Sequence, residues 1–455
     1  METIKQFELS KEYLESLRFA IEGENDTFIQ ESFEGVNEAD IASLLEELSM
    51  DEALYVFKAI DKQIAADILS ELEDDTLEKV IKAMDNQELA SYIELMDSDD
   101  AADMINLFGD KESQEIIGYF EDRSKSLQVI DLLKYEEDTA GGIMAKEYIR
   151  ANKNWTVVQT INEIRRQAEN VEKIFSIYVV NNRQHLLGRV SLKKIVLASD
   201  QTLIQDIYEE ELISVQTDTD QEEVAEIMRR YDLESIPVVN AKNVLVGRIT
   251  VDDILDVIRE EAEEDIQAMT GITETVDDND SVIKLIKARL PWLLIGIVGG
   301  LMGAGFIGFF EGGLSKVTAL AFFIPLITAT GGNVGIQSSS LVVQSLASKS
   351  AFDDSLSKRF FKGLLVAILN GLILALFVFG MVVLFYGNGA KFAMVVSIAL
   401  FSVVLLASFM GTVTPIVLNR MGVNPALASG PFITTANDLL GLAVYFIVAM
   451  SLLNL

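Results

Sequence analysis

The chain has 455 residues, half of them hydrophobic, and 70 acids against 36 bases give it a formal net charge of −34. It has no cysteine and one histidine, His185, which excludes disulfides, thiolate metal sites and histidine-rich zinc sites. Any bound metal must use oxygen ligands, which suits Mg2+, Ca2+ or Mn2+.

These averages hide two different polymers. From Leu290 onward there are four acids and seven bases, whereas the first 289 residues carry 66 acids and 29 bases, a net of −37. The first part reads as soluble and the second as membrane-embedded. So acidic a domain repels nucleic acid and anionic lipid and attracts cations. The opening "METIKQFELS" lacks the apolar core of a cleaved signal peptide, and the acidic part is expected on the cytoplasmic side.

Residues 1–135 read as an all-helical acidic domain. Ile41, Leu44, Leu45 and Leu48 follow i, i+3, i+4, i+7 spacing, and similar short segments recur ("AADILSEL", "LASYIELM", "AADMINLF"). Ser49 with Glu52 and Asp85 with Glu88 have capping-box spacing. The expectation is an irregular solenoid of short helices.

The pattern then changes. "SIYVVNNRQHLLGRVSLKKIV" and "SIPVVNAKNVLVGRITVDDIL" align without a gap at an offset of 59 residues, each preceded by a helical segment. This repeat resembles a tandem pair of CBS domains, α/β modules that often bind adenine nucleotides. The first is placed at 136–200 and the second at 201–258, with a charged connecting helix over 259–288.

The rest, 289–455, holds five apolar segments at about 290–311, 317–347, 360–386, 392–418 and 425–453. Each is long enough to cross ~30 Å of hydrocarbon. Lys349, Lys358, Arg359, Lys362 and Arg420 fall in loops on one side, with Lys284, Lys287 and Arg289 flanking the first span there. The other side shows only Lys316 and Lys391. The positive-inside rule then puts the N-terminal domains in the cytoplasm and the C-terminus outside.

Two spans are not plain apolar helices. The second contains "PLITATGGNVGIQSSS", whose glycines let helices approach or let the backbone open. Its Thr328, Thr330, Asn333 and Gln337 would be costly facing lipid. The fifth contains "GVNPALASGPFITTANDLLGL". Pro425 and Pro431 are expected to break it and free carbonyls, while Thr434, Thr435 and Asn437 add oxygen atoms around Asp438. Asp438 is the only acid well inside a span, and no lysine or arginine in any span can pair with it. It is therefore protonated, hydrogen-bonded or facing a hydrated cation path, unless it merely caps a broken helix. One carboxylate makes a poor Mg2+ cage, but a symmetric dimer would bring two together around a hydrated ion.

The soluble acids cluster in "MDSDDAADM" (Asp97, Asp99, Asp100, Asp103), "TDTDQEE" (Asp218, Asp220, Glu222, Glu223) and "TVDDILDVIREEAEED" (Asp252, Asp253, Asp256 and on to Asp265). Singly each reads as a helix cap or a solvated face. Asp99 with Asp103, and Glu260 with Glu264, put like charges one turn apart, which costs energy unless bridged. Compact packing of these domains should depend on divalent cations without a dedicated cage.

In this order, helical domain, CBS pair, acidic helix and five spans, the chain resembles the MgtE family of magnesium channels. "PLITATGGNVGIQSSS", "NPALASGPFITTAND" and "EEDTAGGIM" carry the likeness. The resemblance implies a homodimer in the cytoplasmic membrane, surrounded by lipid, with a pore on its axis lined mainly by spans two and five. It implies Asp438 as the ion-selecting acid, with Thr434, Thr435, Asn333 and Asn424 counted to the pore. It implies Asp99, Asp103, Asp218, Asp220, Asp253, Asp256, Glu261, Glu264 and Asp265 as cytosolic Mg2+-sensing acids. The helix around Val257 to Met269 would plug the pore. Mg2+ is then substrate and regulator, and ATP at the CBS domains a further ligand, though no ATP site is assigned. Asn424 departs from the family, where an acid is expected, and an amide should weaken a metal site at the mouth. Rival readings are a carrier of Mn2+ or Co2+, and a non-conducting sensor of magnesium or nucleotide. No Walker loop, nucleophile elbow or His/Cys cluster supports an enzyme.

Overall fold

The computed structural model describes residues 11–454 apart from 169–170, 172, 274–275, 277–279, 348–355, 387–388 and 429. Lys349 and the loop acids Asp353 and Asp354 lie outside the described residues, as does the opening "METIKQFELS". The chain divides into two compact units, the boundary following Arg259 inside a long helix.

Among the described residues of the first unit, ten short helices run from α1 (Lys11–Glu22) to α10 (Arg123–Leu132). They are more regular than the sequence reading expects. The N-caps of α2 (Asp26–Phe33) to α9 (Asp110–Gly118) are Asn25, Asn37, Ser49, Asp61, Glu73, Asp85, Asp97 and Gly109, a strict 12-residue period. Buried pairs keep the same beat: Leu44 and Leu45, Val56 and Phe57, Ile68 and Leu69, Val80 and Ile81, Tyr92 and Ile93, Met104 and Ile105. Twelve residues make two turns of helix plus a corner, so each repeat returns the same pair to the core. Ser49 and Glu52 complete a capping box. Asp85 caps Gln87 N instead, and Glu88 does not close the expected box; its Oε1 accepts from Tyr92 Oη at 3.4 Å. Each such cap contributes about 1 kcal/mol.

Two three-stranded sheets follow, β1 (Ile149–Asn152), β2 (Ile177–Val180), β3 (Leu186–Val190) and β4 (Val215–Gln216), β5 (Ser235–Val239), β6 (Leu245–Thr250). In both the first pair of strands is parallel and the second antiparallel. Helix α11 (Val157–Gln167) precedes β2, α12 (Leu192–Leu197) follows β3, and α13 (Gln221–Tyr231) precedes β5. The repeat extends to irregularities: the register slips between Val179 and Val180 and again between Val238 and Val239. The modules pair about a pseudo-two-fold. Leu186 N donates to Asn243 O at 3.0 Å and Leu245 N to Gln184 O at 3.1 Å. Gln184 and Asn243 both adopt positive φ.

The "EEDTAGGIM" joint is explained by close approach. A Cβ on Gly141 would meet the Tyr135 ring and Thr217 O, and one on Gly142 the Glu136 and Glu137 carbonyls. Ala140 N and Gly141 N donate to Thr219 O and Thr217 O at 2.7 and 2.9 Å, stitching the joint to the second module.

Helix α14 (Val251–Thr270) crosses the unit boundary. The expected connecting helix over 259–288 is not one piece. Helix α14 stops at Gly271, whose φ of +85° suits glycine, and Ser281 caps the next helix. The second unit holds α15 (Val282–Phe309), a short α16 (Glu311–Lys316), α17 (Ile324–Ala347), α18 (Leu356–Tyr386), α19 (Gly389–Arg420) and α20 (Pro431–Leu453). Among the described residues, five segments, Val282–Phe309, Thr318–Leu346, Phe360–Tyr386, Gly389–Arg420 and Pro425–Leu453, are long and apolar enough to cross a membrane. Helix α19 is central, packing on α17, α18 and α20 through Val396, Ala399, Leu400 and Val403.

The structure chooses between the readings of the second and fifth spans. The glycines of the second span do not open its backbone. They seat neighbours: a Cβ on Gly335 would overlap the Asn437 amide, and one on Gly411 the Gly335 carbonyl. The prolines interrupt the fifth span at its start without kinking α20. Pro425 opens a 3-10 turn, Pro425–Ala428, and Pro431 is the first residue of α20, where a missing N–H costs nothing.

Candidate cation sites

The first candidate grows from a helix start. Asp97 holds the N-cap position of α8 (Ser98–Asn106), yet its side chain makes no cap bond. The carboxylate instead joins Asp99 and Asp100 in the first turn. Helix α14 brings Asp253, fixed by Thr250 N and Oγ1, which donate to its Oδ2 at 2.9 and 2.7 Å. Glu147, buried, arrives from the stretch before β1. It accepts from Ser98 N at 3.2 Å, Ser98 Oγ at 2.5 Å and Lys125 Nζ at 3.1 Å.

Five carboxylates thus gather with one lysine among them. Burial holds Asp99 well above the usual carboxylate range, with Asp100, Asp253, Glu147 and Asp97 adding repulsion. Asp100 is pushed up to about 7 by loss of water around it, then by Asp97 and Asp253. Asp97 rises to about 6 by loss of water around it, then by Glu147. Both keep an open side, so for these two the like charges are the firmer cause. Burial raises Asp253 too, against the two Thr250 bonds. Asp99 is buried, and its Oδ1 has no hydrogen-bond partner. An orphaned acceptor among acids fits a cation or a proton. Among the described residues, no three acids converge as a preformed metal cage.

The expected sensing acids therefore separate. Asp99 and Asp253 come together. Asp103 is exposed and acts on Asp100 only by its charge. Asp220 is occupied as the N-cap of α13, accepting from Glu222 N at 2.9 Å, with Asp218 exposed beside it. Asp256 is exposed and raises the pKa of Glu71, after burial of that group. Glu147 and its partners Ser98 and Lys125 were not singled out from sequence, where nothing sets Glu147 apart.

The second candidate is the C-terminal part of α14. Asp265 Oδ1 accepts from Asn424 Nδ2 at 3.2 Å, and Asn424 Oδ1 accepts from Ala426 N at 2.7 Å. The amide orientation is thus fixed from both ends. Ala268, Val343 and Ala426 are buried together, and Gly430 lies so close to Met269 O that no side chain fits. Glu261 is half-buried and Glu264 exposed on the same helix.

The third candidate lies within the spans. Asp438 stands two turns into the continuous α20, which excludes the capping role. Its Oδ1 and the Thr434 methyl flank Gly332 of α17, at 4.0 and 3.4 Å from where a Cβ would stand. Thr435 packs its methyl into the space beside Gly299 of α15. Asn437 is buried against Gly335, with neither amide atom hydrogen-bonded. Asn333 and Gln337 are exposed on α17.

Family models match this layout in order: an MgtE intracellular N domain over residues 36–138, a CBS domain over 204–260 and a divalent cation transporter domain over 324–448. The magnesium transporter MgtE of Thermus thermophilus is 38% identical over 330 residues, 72% of this chain and 73% of its own. The chain belongs to the MgtE family of magnesium transporters. The MgtE of Enterococcus faecalis is 36% identical over 71% of each chain. A solved cytosolic domain of the Mg2+ channel MgtE in complex with ATP is 33% identical, with a TM-score of 0.51 over 54% of this chain and 99% of its own. The first β-module repeats the strand order and pairing of the matched second module.

Proposed function

We propose that this MgtE-family protein is a Mg2+-selective channel of the cytoplasmic membrane, carries Mg2+ inward as a homodimer, and is held closed by cytosolic Mg2+. It is a transporter and not an enzyme. The observation that carries the conducting role is Asp438, a carboxylate in the middle of an apolar helix beside Gly332 and Thr434. A carboxylate at that depth costs several kcal/mol unless water or a cation meets it. Mg2+ sheds water reluctantly, so it is held through its hydration shell. Asn333 and Gln337 are exposed on α17 of the single chain. Polar side chains facing hydrocarbon are costly, which supports a second copy across a hydrated path.

Gating rests on the acids. Mg2+ screens Asp97, Asp99, Asp100 and Asp253 and compacts the first unit; without it, repulsion loosens the unit. Asp103, Asp218, Asp220 and Asp256 add diffuse attraction for the cation. The end of α14 is the closing element, and its Asn424–Asp265 bond forms without any ion. The basic residues Lys284, Lys287, Lys358, Lys362 and Arg420 support an orientation with the first unit in the cytoplasm and the C-terminus outside. ATP, bound by the relative's cytosolic domain, is proposed as a second ligand of the first unit.

Purified protein in liposomes, with Mg2+ varied on the cytoplasmic face, tests the reading. Flux should fall as that Mg2+ rises. Flux that ignores it refutes the gating, equal uptake of Co2+ or Mn2+ refutes the selectivity, and no flux leaves a sensor.

A further inference from the structure

We infer that Glu147 is a positioning residue for the acidic cluster: it caps α8 from outside the helix and so releases Asp97 from the cap for the cation. This rests on the reading of the cluster as the Mg2+ sensor, and gives a part in it to a group that holds the site without binding the ion.

The solenoid supplies its own comparison. Asp61, Asp85 and Asp97 hold the same cap position in three of its repeats. Asp61 accepts from Gln63 N at 2.9 Å and Asp85 from Gln87 N at 3.2 Å, so both carboxylates are spent on their own helices. Asp97 makes no such bond. Instead Glu147, 49 residues away, accepts from Ser98 N in the first turn of α8. A helix start leaves backbone donors without partners inside the helix, and an acceptor from another segment can meet them. A carboxylate there also faces the positive end of the helix dipole.

The contact is a closed clasp. Ser98 Oγ donates to Glu147 Oε2 and accepts from Lys146 N at 2.7 Å, so two adjacent residues before β1 hold one serine. Lys125 of α10 donates to Glu147 Oε1 and to Met96 O, which ties in the corner before α8. Ser98 is fully buried, and Lys125 and Glu147 are each 8% exposed. Both oxygens of Glu147 are thus occupied and its charge is met by Lys125, so it positions and does not bind. What it fixes is the first turn of α8, which carries Asp99 and Asp100. Asp99 is buried there with its Oδ1 unpartnered. Across the cluster, Thr250 fixes Asp253 in the same manner, through a backbone N–H and a hydroxyl. Carboxylates held by groups other than the cation keep their places before it arrives, which lowers the cost of ordering them on binding.

The test is hydrogen exchange of α8 and α14 in the full chain in detergent, with Mg2+ titrated upward from chelator. Glu147→Ala should raise the Mg2+ concentration for half-maximal protection roughly 10-fold, the loss of one charged hydrogen bond. Ser98→Ala keeps the bond from its own N–H and loses the hydroxyl link. It should raise the midpoint roughly 3-fold, and it decides the matter if Glu147→Ala does not fold. Glu147→Gln with Lys125→Met keeps an acceptor for Ser98 N and removes both charges together, so its midpoint should stay within about 3-fold of wild type. The cap is read separately in chelator. Asp97→Ala alone should not speed exchange of α8, because it removes only a repelling charge. Added to Glu147→Ala it should speed exchange roughly 5-fold, because Asp97 has then resumed the cap. Midpoints unchanged in Glu147→Ala and Ser98→Ala, while wild type responds to Mg2+, overturn the inference alone. Faster exchange from Asp97→Ala by itself overturns the borrowed cap, and a Gln/Met double variant as weak as Glu147→Ala assigns the effect to charge and overturns it too. Wild-type protection that ignores Mg2+ overturns the sensing reading, and the positioning role with it.

Discussion

Replacing Asp99 with asparagine should make the first unit more stable without magnesium and less responsive to it. The side chain is buried, one oxygen is unpartnered, and Asp97, Asp100, Asp253 and Glu147 all repel it. An unsatisfied buried polar group costs roughly 1–3 kcal/mol, and an amide of the same shape relieves the charge part of that cost. For a unit of this size the gain is a rise of roughly 3–9 °C in unfolding temperature. The sign with pH follows from the raised pKa values. A carboxylate whose folded pKa lies above its unfolded one destabilises the fold as pH rises from the unfolded value to the folded one, and no further beyond. With Asp97 near 6 and Asp100 near 7, wild type in chelator should lose stability between about pH 4 and 7.5. The variant should lose less, so its advantage grows with pH. Magnesium at 100 times its dissociation constant adds about 2.7 kcal/mol to wild type and should add less than half of that to the variant. Hydrogen exchange of α8 and α14 in the detergent-solubilised chain, at pH 5.5 and 8 with and without Mg2+, reads all of this. A variant no more protected than wild type at pH 8 in chelator, with an undiminished Mg2+ effect, would refute the reasoning.

Asp438→Asn should keep the fold and lower liposome Mg2+ flux at least ~10-fold, because the site loses its charge; flux like wild type would remove Asp438 from the path. Asn424→Asp should replace a hydrogen bond to Asp265 with repulsion, shifting the open-to-closed ratio roughly 10-fold toward open at low Mg2+. High Mg2+ should restore closure by bridging the pair, and a variant that closes like wild type in chelator would deny the contact any part in gating. Gly335→Leu should overpack α17 against Asn437 and cost roughly 1–3 kcal/mol, seen as a lower unfolding temperature in detergent. Gly296→Ala is the control, since nothing lies within 4 Å of a Cβ there, and equal losses from both would refute the packing account.

How much of this was legible in the sequence differs by region, for physical reasons. The β-modules were plain because a gapless repeat keeps strand register, bulge and turn together, down to the paired positive-φ residues Gln184 and Asn243. The solenoid was legible but under-read. Its helix cores vary in side-chain identity, so similarity looks irregular, whereas cap position and buried pairs recur every 12 residues. That period identifies Asp97 as a cap position, and only the structure finds its carboxylate unused there. The prolines of the fifth span are legible as an interruption, and the structure adds that Pro431 stands at a first helical position, where it starts α20. Glu147 could not be found at all: its importance comes from Ser98, 49 residues away, and Lys125, 22 residues away, which no local pattern encodes.

Asn424 joins the two kinds of reading. From sequence it is a missing charge, and a weaker metal site follows. In the structure the same amide has one atom held by Ala426 N and the other donating to Asp265, so it supplies what a bridging cation would otherwise supply. A carboxylate there would face Asp265 with like charge and need an ion between them. An amide needs none, and it also cannot report whether an ion is present. On the proposed gating, magnesium dependence at this contact is exchanged for a constant closing bias. Under the same proposal, ion sensing falls on acids that remain in conflict, and Asp99, orphaned among four others, is the one most in need of a cation.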